Sequence, residues 1–232
     1  MGSIPSHPTT TAPKLYWLVP KWFKGMRCGR IIFHEFESHP ANKGEKMKSD
    51  EFVTSDTHFF HTNIIKYSNR PFKDVDHMNE ELIRRWNEKV PKTATVYHLG
   101  DFAFCSDRKM EWVIKQLNGN IVVLLGNHDH MKAHIRSLFH RVIPPYLETK
   151  TEDKRKVVMC HYPLMVWNKS HHGSWHLHGH CHGSLPDTGV TRIDVGVDTH
   201  PNYEPYSYAE IVEKMKGRSY QPVDHHDKHT NP

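Results

Sequence analysis

Between Asn118-Gly119 and Gly126 runs Ile121, Val122, Val123, Leu124, Leu125, an uninterrupted apolar stretch. A run of this length bounded by turn residues predicts a strand buried on both faces, which belongs in a layered α/β domain. The run ends in Gly126, Asn127, His128, Asp129. An amide, an imidazole and a carboxylate are thereby placed at the carboxyl end of a central strand, the edge of an open α/β sheet where ligands bind. Gly126 lets the backbone turn sharply there. Alone, four such residues read equally as a polar turn with an incidental histidine. The rest of the chain separates the two readings.

The same arrangement recurs. Residues 51–55 predict a short strand delivering Asp56 and His58, and residues 95–99 a second ending in Gly100 and Asp101. Residues 156–160 lead to His161, residues 175–178 to Gly179, His180, Cys181 and His182, and residues 192–198 predict a further strand. Between the early strands the period becomes helical. Asp74 is a good N-cap for a helix with Met78, Leu82, Trp86 and Val90 on one face, stopped by Pro91. Asp107 is expected to cap a second, carrying Met110, Val113, Ile114 and Leu117; a third runs from His130 to about Phe139. Ser207 caps a last helix through Ala209, Ile211, Val212 and Met215, closed by Gly217. Helices dominate the early connections and strands the late ones, which fits two packed sheets with helices outside.

Five donor-rich blocks therefore stand in order: Asp56 with His58, Gly100 with Asp101, Gly126 to Asp129, His161, and Gly179 to His182. In type and order they resemble the calcineurin-like metallophosphoesterases, whose blocks run DxH, GD, GNH(D/E), a lone His, then GHxH. The resemblance spans Asp56 to His182. It implies an α/β fold of two packed mixed β-sheets flanked by helices, a four-layer αββα sandwich, holding two divalent metal ions. Carried over position by position, Asp56, His58 and His182 would bind the first ion, Asn127, His161 and His180 the second, and Asp101 would bridge them. The implied reaction is phosphate-ester hydrolysis by a metal-bridging hydroxide. His128 would assist the leaving oxygen, with Asp129 orienting its imidazole; a structural role for Asp129 stands beside that reading. Mixed nitrogen and oxygen donors suit Mn, Fe, Ni, Co or Zn better than Ca or Mg, with Mn favoured.

One departure matters. Many relatives follow the GD block with an acidic or amide residue and an Arg, whereas here Asp101 runs into Phe102, Ala103, Phe104. Together with His61-Thr62-Asn63 and Asn69-Arg70-Pro71-Phe72, this looks like the small bacterial and phage-type branch of phosphoesterases. Asn63 and Arg70 are then candidate substrate contacts, since a guanidinium pairs bidentately with phosphate oxygens. A surface salt bridge for Arg70 and a turn role for Asn63 are the competing readings. His98, His176 and His178 are expected to pack or support ligands, and Asp194 and Asp198 to orient them. The expected substrate is a phosphodiester of a nucleotide or similar small molecule, with a phosphomonoesterase as alternative. A nuclease module, or a non-catalytic metal-bound scaffold, completes the alternatives; the intact ligand set argues against the scaffold.

The ends of the chain differ in character. Residues 1–48 carry prolines at 5, 8, 13 and 20 within the first twenty positions, a Thr run and no clear period, and residues 1–50 hold eight Lys or Arg against four acids, nearly the whole net charge of +5. They are read as a basic extension preceding a catalytic domain at 49–220, and as an arm able to contact nucleic-acid phosphates. Residues 221–232, with His225, His226 and His229, are read as a disordered tail. No apolar run reaches membrane-spanning length, and the four scattered cysteines predict free thiols in a cytoplasmic setting. A myristoylation-like Met1, Gly2, Ser6 and a transit-peptide-like lack of acids before Glu35 are weak signals against that location.

Overall fold

The computed structural model describes residues 46–221. Residues 1–45 and 222–232, and with them the basic arm, the acylation and transit signals, Cys28 and the histidine-rich tail, lie outside the described residues. Chain order gives β1 (Lys46–Met47), β2 (Phe52–Thr54), α1 (Ile64–Tyr67), α2 (Val75–Lys89), β3 (Thr95–His98), α3 (Asp107–Gln116) and β4 (Asn120–Leu124). There follow α4 (Ala133–Arg136), β5 (Arg141–Ile143), β6 (Tyr146–Thr151), β7 (Lys156–Cys160), β8 (Trp175–His178), β9 (Arg192–Asp194), β10 (Tyr206–Ser207) and α5 (Tyr208–Met215).

The strands form two mixed five-stranded sheets, in the orders β10-β2-β3-β4-β5 and β1-β6-β7-β8-β9. The expected α/β architecture of two packed sheets flanked by helices is present. Period-two alternation shows how the central strand is used. Ile121 and Val123 face outward with Phe52 and Val96 onto Met78, Leu82 and Trp86 of α2 and Val113 of α3. Val122 and Leu124 face inward with Val53, Tyr97 and Leu99 onto Val157, Met159, Trp175, Leu177 and Ile193 of the other sheet, joined by Ile211 and Met215 of α5. Burial on both faces is what an unbroken apolar run requires.

The helix signals act at the atomic level in most cases. Asp74 accepts from the His77 amide at the head of α2, and Ser207 with Glu210 forms a reciprocal capping box on α5. Ser106 rather than Asp107 holds the N-cap position of α3, and the Asp107 carboxylate instead pairs with Lys132. The helix expected from His130 to Phe139 shrinks to the four residues of α4, since Ile135 and Phe139 meet the core through a turn. β1 lies inside the segment read as extension: Lys46 and Met47 pair in parallel with Lys150 and Thr151, and Met47 is only 1% exposed.

Strand direction positions the site. β2, β3 and β4 run parallel, as do β7, β8 and β9. A further parallel bridge between Ser55 and Gly196 ties the carboxyl end of the first set to the second. Every block of the sequence motif thus emerges at one edge of the sandwich.

Candidate metal centre

Asp56 and His58 leave β2, Asp101 leaves β3, Asn127 and His128 leave β4, His161 leaves β7, and His180 and His182 leave β8. Their loops are drawn together by short backbone bonds: Asp56 N–H donates to the Gly100 carbonyl at 3.0 Å and Gly179 N–H to that of His161 at 3.0 Å. Glycine supplies room rather than unusual backbone angles at two of these contacts. A methyl group at Gly126 would run into the Asp101 carboxylate, and one at Gly179 into Ser55 and Asp56.

Two donor clusters result. Ligand atoms of Asp56, His58 and His182 lie within 4.8 Å of one another, and so do those of Asp101, His161 and His180. Asp101 stands between them, its Oδ2 being 3.6 Å from His58 Nε2 and 3.6 Å from His161 Nε2. Asn127 Oδ1 joins the second cluster at 3.0 Å from His161 Nε2. All seven sequence-predicted ligands are therefore brought together.

Electrostatics suit a cation. Asp56 Oδ1 and His58 Nε2 are buried without a hydrogen-bond partner. Such orphaned groups are costly unless something else completes them. Burial pushes Asp56 up to about 8, with Asp194 and Asp101 adding to it against His182. Burial holds His58 down to about 2 and His161 to about 4, so both imidazoles are neutral donors near pH 7. His161 Nδ1 donates to the Leu99 carbonyl at 2.9 Å, which fixes the tautomer with the Nε2 lone pair in the site. His182 Nδ1 lies 2.6 Å from Asp198 Oδ2, leaving its Nε2 for the first cluster. Burial opposes charge on His182, yet the Asp198 bond and Asp56 hold its pKa above the ordinary histidine value.

Backbone strain is concentrated here. Ten described non-glycine residues have positive φ, and Asp56, His58, Asp101, His180 and His182 are five of them. Left-handed backbone at non-glycine positions persists only where surrounding structure over-determines it, and it gathers at functional sites.

The remaining predicted site residues take different places. The exposed His128 ring sits 5.9 Å from that of His58, and its backbone N–H donates to Asp101 Oδ1 at 3.0 Å. Asp129 is a correction. Its carboxylate accepts from the backbone amides of Asp101, Phe102 and Gly126 at 2.7, 3.0 and 2.8 Å, so it fastens two ligand loops together instead of orienting the His128 imidazole. Arg70 is corrected too. Its guanidinium is fully buried and bonded to both Asp198 oxygens and to the carbonyls of Asp56 and Thr57, which leaves it no reach toward a substrate. Asn63 is exposed at the head of α1.

His176 accepts from the Leu164 amide and His98 meets the Thr57 hydroxyl, so both are packing groups, as expected. Among the described residues Cys105, Cys160 and Cys181 carry free thiols. Tyr162, whose ring packs 4.8 Å from that of His180, and the rings of Phe104 and His61 beside His128 and His58, were not among the predicted site residues. Only their nearness in sequence to the ligand blocks could have flagged them. Among the described residues no helix is long and apolar enough to cross a membrane.

No protein-family model matches the chain. An uncharacterized protein of Methanocaldococcus jannaschii is 33% identical over 181 residues, covering 75% of this chain and 96% of that protein. A solved protein of unknown function from Aquifex aeolicus superposes with a TM-score of 0.58 at 23% identity, over 73% of this chain and 100% of its own, a likeness of fold alone. A nuclease of Pseudomonas putida, MPE, aligns at a TM-score of 0.37 and 17% identity over 59% of this chain and 68% of its own, a level at which nothing follows for either fold or activity.

Proposed function

The chain belongs to one family with the uncharacterized Methanocaldococcus jannaschii protein, and on that premise we propose that it is a metal-dependent phosphoesterase of the calcineurin-like superfamily. Its preferred substrates are phosphodiesters of nucleotides or similar small molecules. The observation that carries this reading is the position of Asp101 Oδ2, equally 3.6 Å from a nitrogen of each donor cluster. One carboxylate shared by two nitrogen-rich pockets is the arrangement a pair of divalent ions needs.

Asp56, His58 and His182 would hold one ion, Asn127, His161 and His180 the other, with Asp101 between. The donors suit Mn, Fe, Co, Ni or Zn, and we favour Mn. Bound there, such ions would neutralise phosphoryl oxygens and bring the acidity of water toward neutral pH. The chain's own groups supply the rest. In this reading His128, which is exposed and whose backbone N–H is bonded to Asp101, would donate a ring proton to the departing oxygen. Asn63 reaches toward a substrate phosphate in this reading, whereas Arg70 acts through Asp198 to hold His182 in place.

The test is hydrolysis of p-nitrophenyl phosphate and bis(p-nitrophenyl) phosphate by metal-stripped protein resupplied with Mn, Co, Ni, Zn or Mg. Diester turnover should require added metal and disappear in Asp101→Ala. His128→Ala should lower kcat by about 100-fold or more, the usual worth of a positioned proton donor. Turnover that survives chelation, or that survives in Asp101→Ala, overturns the reading.

A further inference from the structure

Seven large apolar side chains are exposed among the described residues, and two of them, Tyr67 at 74% and Phe104 at 55%, stand against the same imidazole at the metal centre. The His61 ring lies 5.0 Å from Phe104 and 6.2 Å from Tyr67. It also lies 5.3 Å from the His58 ring, and Phe104 meets the His128 ring edge-on at 5.8 Å. A continuous wall of rings therefore leads from solvent to the donor clusters.

The wall is held rigidly. Phe102 and Ala103 are buried beneath it, Ala103 forms a parallel bridge with Phe59, and the Phe104 amide donates to the Phe59 carbonyl at 2.9 Å. The Tyr67 amide is bonded to the Asn63 carbonyl at 3.0 Å in α1. His61 Nδ1 is buried without a hydrogen-bond partner. Aromatic surface kept in water on a fixed backbone is suited to a ligand with a flat face. Every nucleobase has such a face, and stacking on it needs no particular base.

We infer that Phe104, Tyr67 and His61 form a stacking subsite for a planar aromatic group, a nucleobase or an aryl ring, carried on the phosphate ester that the centre hydrolyses. The inference rests on the phosphoesterase reading and gives it a substrate class. The Phe102-Ala103-Phe104 stretch, the departure from the commoner polar sequence, then serves selectivity: it presents a ring where polar side chains would grip only the phosphate.

The test is equilibrium binding to metal-loaded full-length protein, read by calorimetry, with three compounds that cannot be hydrolysed: the phosphonate isostere of adenosine monophosphate, phenylphosphonate and methylphosphonate. Phe104→Ala should weaken the adenosine and phenyl compounds by about tenfold, the worth of one stacked ring, while methylphosphonate changes by less than about twofold. Tyr67→Ala should act in the same direction, and Phe104→Tyr should restore affinity. Loss confined to the adenosine compound supports a nucleobase as occupant, and loss confined to the phenyl compound supports a simple aryl group. Equal weakening of methylphosphonate, or no weakening of either aromatic compound, overturns the inference. Failure of the wild-type chain to hydrolyse any ester would refute the phosphoesterase reading while the stacking preference remained measurable.

Discussion

A carboxylate next to a histidine proposed to be catalytic invites the thought that it orients the ring, and at Asp129 the bonds run elsewhere. Three backbone amides converge on it, from Asp101, Phe102 and Gly126. Replacing Asp129 by Asn puts an amide hydrogen against at least one of those donors. Asp129→Asn should therefore cost roughly 2–4 kcal/mol, seen as a lower midpoint in urea, because buried amides lose a charged acceptor. A ring-orienting residue would instead cost activity at unchanged stability. Arg70 and Asp198 tell a related story. The guanidinium closes on the carboxylate that in turn holds His182. Asp198→Asn should weaken metal binding by about 10- to 100-fold, measured by chelator competition, the usual effect of losing a ligand's supporting partner. The seven candidate donors came from the family resemblance position by position, and their side chains fall close together in two clusters. Asp129 and Arg70 could not be placed, because what a polar side chain bonds depends on which loop stands opposite.

Local signals were most legible where one helix face meets one sheet. Met78, Leu82 and Trp86 at fourfold spacing are buried as the period demands, and Asp74 caps their helix. Ser207→Ala should cost about 1 kcal/mol by thermal denaturation without altering metal binding, since it breaks only the capping box of α5. The short α4 was misjudged for a physical reason: four residues cannot sustain a helix by propensity, and only tertiary contacts of Ile135 fix where it ends. Loops carrying the ligands depend on close approach. Gly179→Ala should abolish stoichiometric metal uptake, because a methyl there collides with Ser55 and with the Asp56 carboxylate. Metal content after dialysis checks this.

At the scale of the whole molecule, buried imidazoles and carboxylates set opposing pH dependences. His98 and His176 are held down to about 3 by burial, against 6.5 for free histidine. Above pH 6.5 they are neutral whether folded or not and contribute nothing; below it the unfolded chain takes up protons that the folded one refuses. Stability should therefore fall as pH drops from 6.5 toward 3, by about 2 kcal/mol for each residue at pH 5. Asp56 works the other way: its folded pKa of about 8 against 3.8 unfolded removes stability as pH rises between those values. A bound cation would displace that proton, so the rise in Tm on adding Mn should be larger at pH 8 than at pH 5.5. Scanning calorimetry with and without metal at both values measures the difference.

Strands β2, β3, β4, β7, β8 and β9 and helices α2, α3 and α5, with the buried central strand, were determined by the sequence alone, and the candidate donors came with the family resemblance. Apolar periodicity and ligand type are local properties, and they can be read one segment at a time. The tertiary structure decided how the donors are shared out. Only the two parallel sets, β2-β3-β4 and β7-β8-β9, joined by the Ser55–Gly196 bridge, put Asp101 between two clusters and make left-handed backbone tolerable at five candidate ligands. Which carboxylate faces the crevice, which is spent on backbone amides, and which rings remain in water beside the centre depend on contacts between residues far apart in the chain, and no local pattern encodes those.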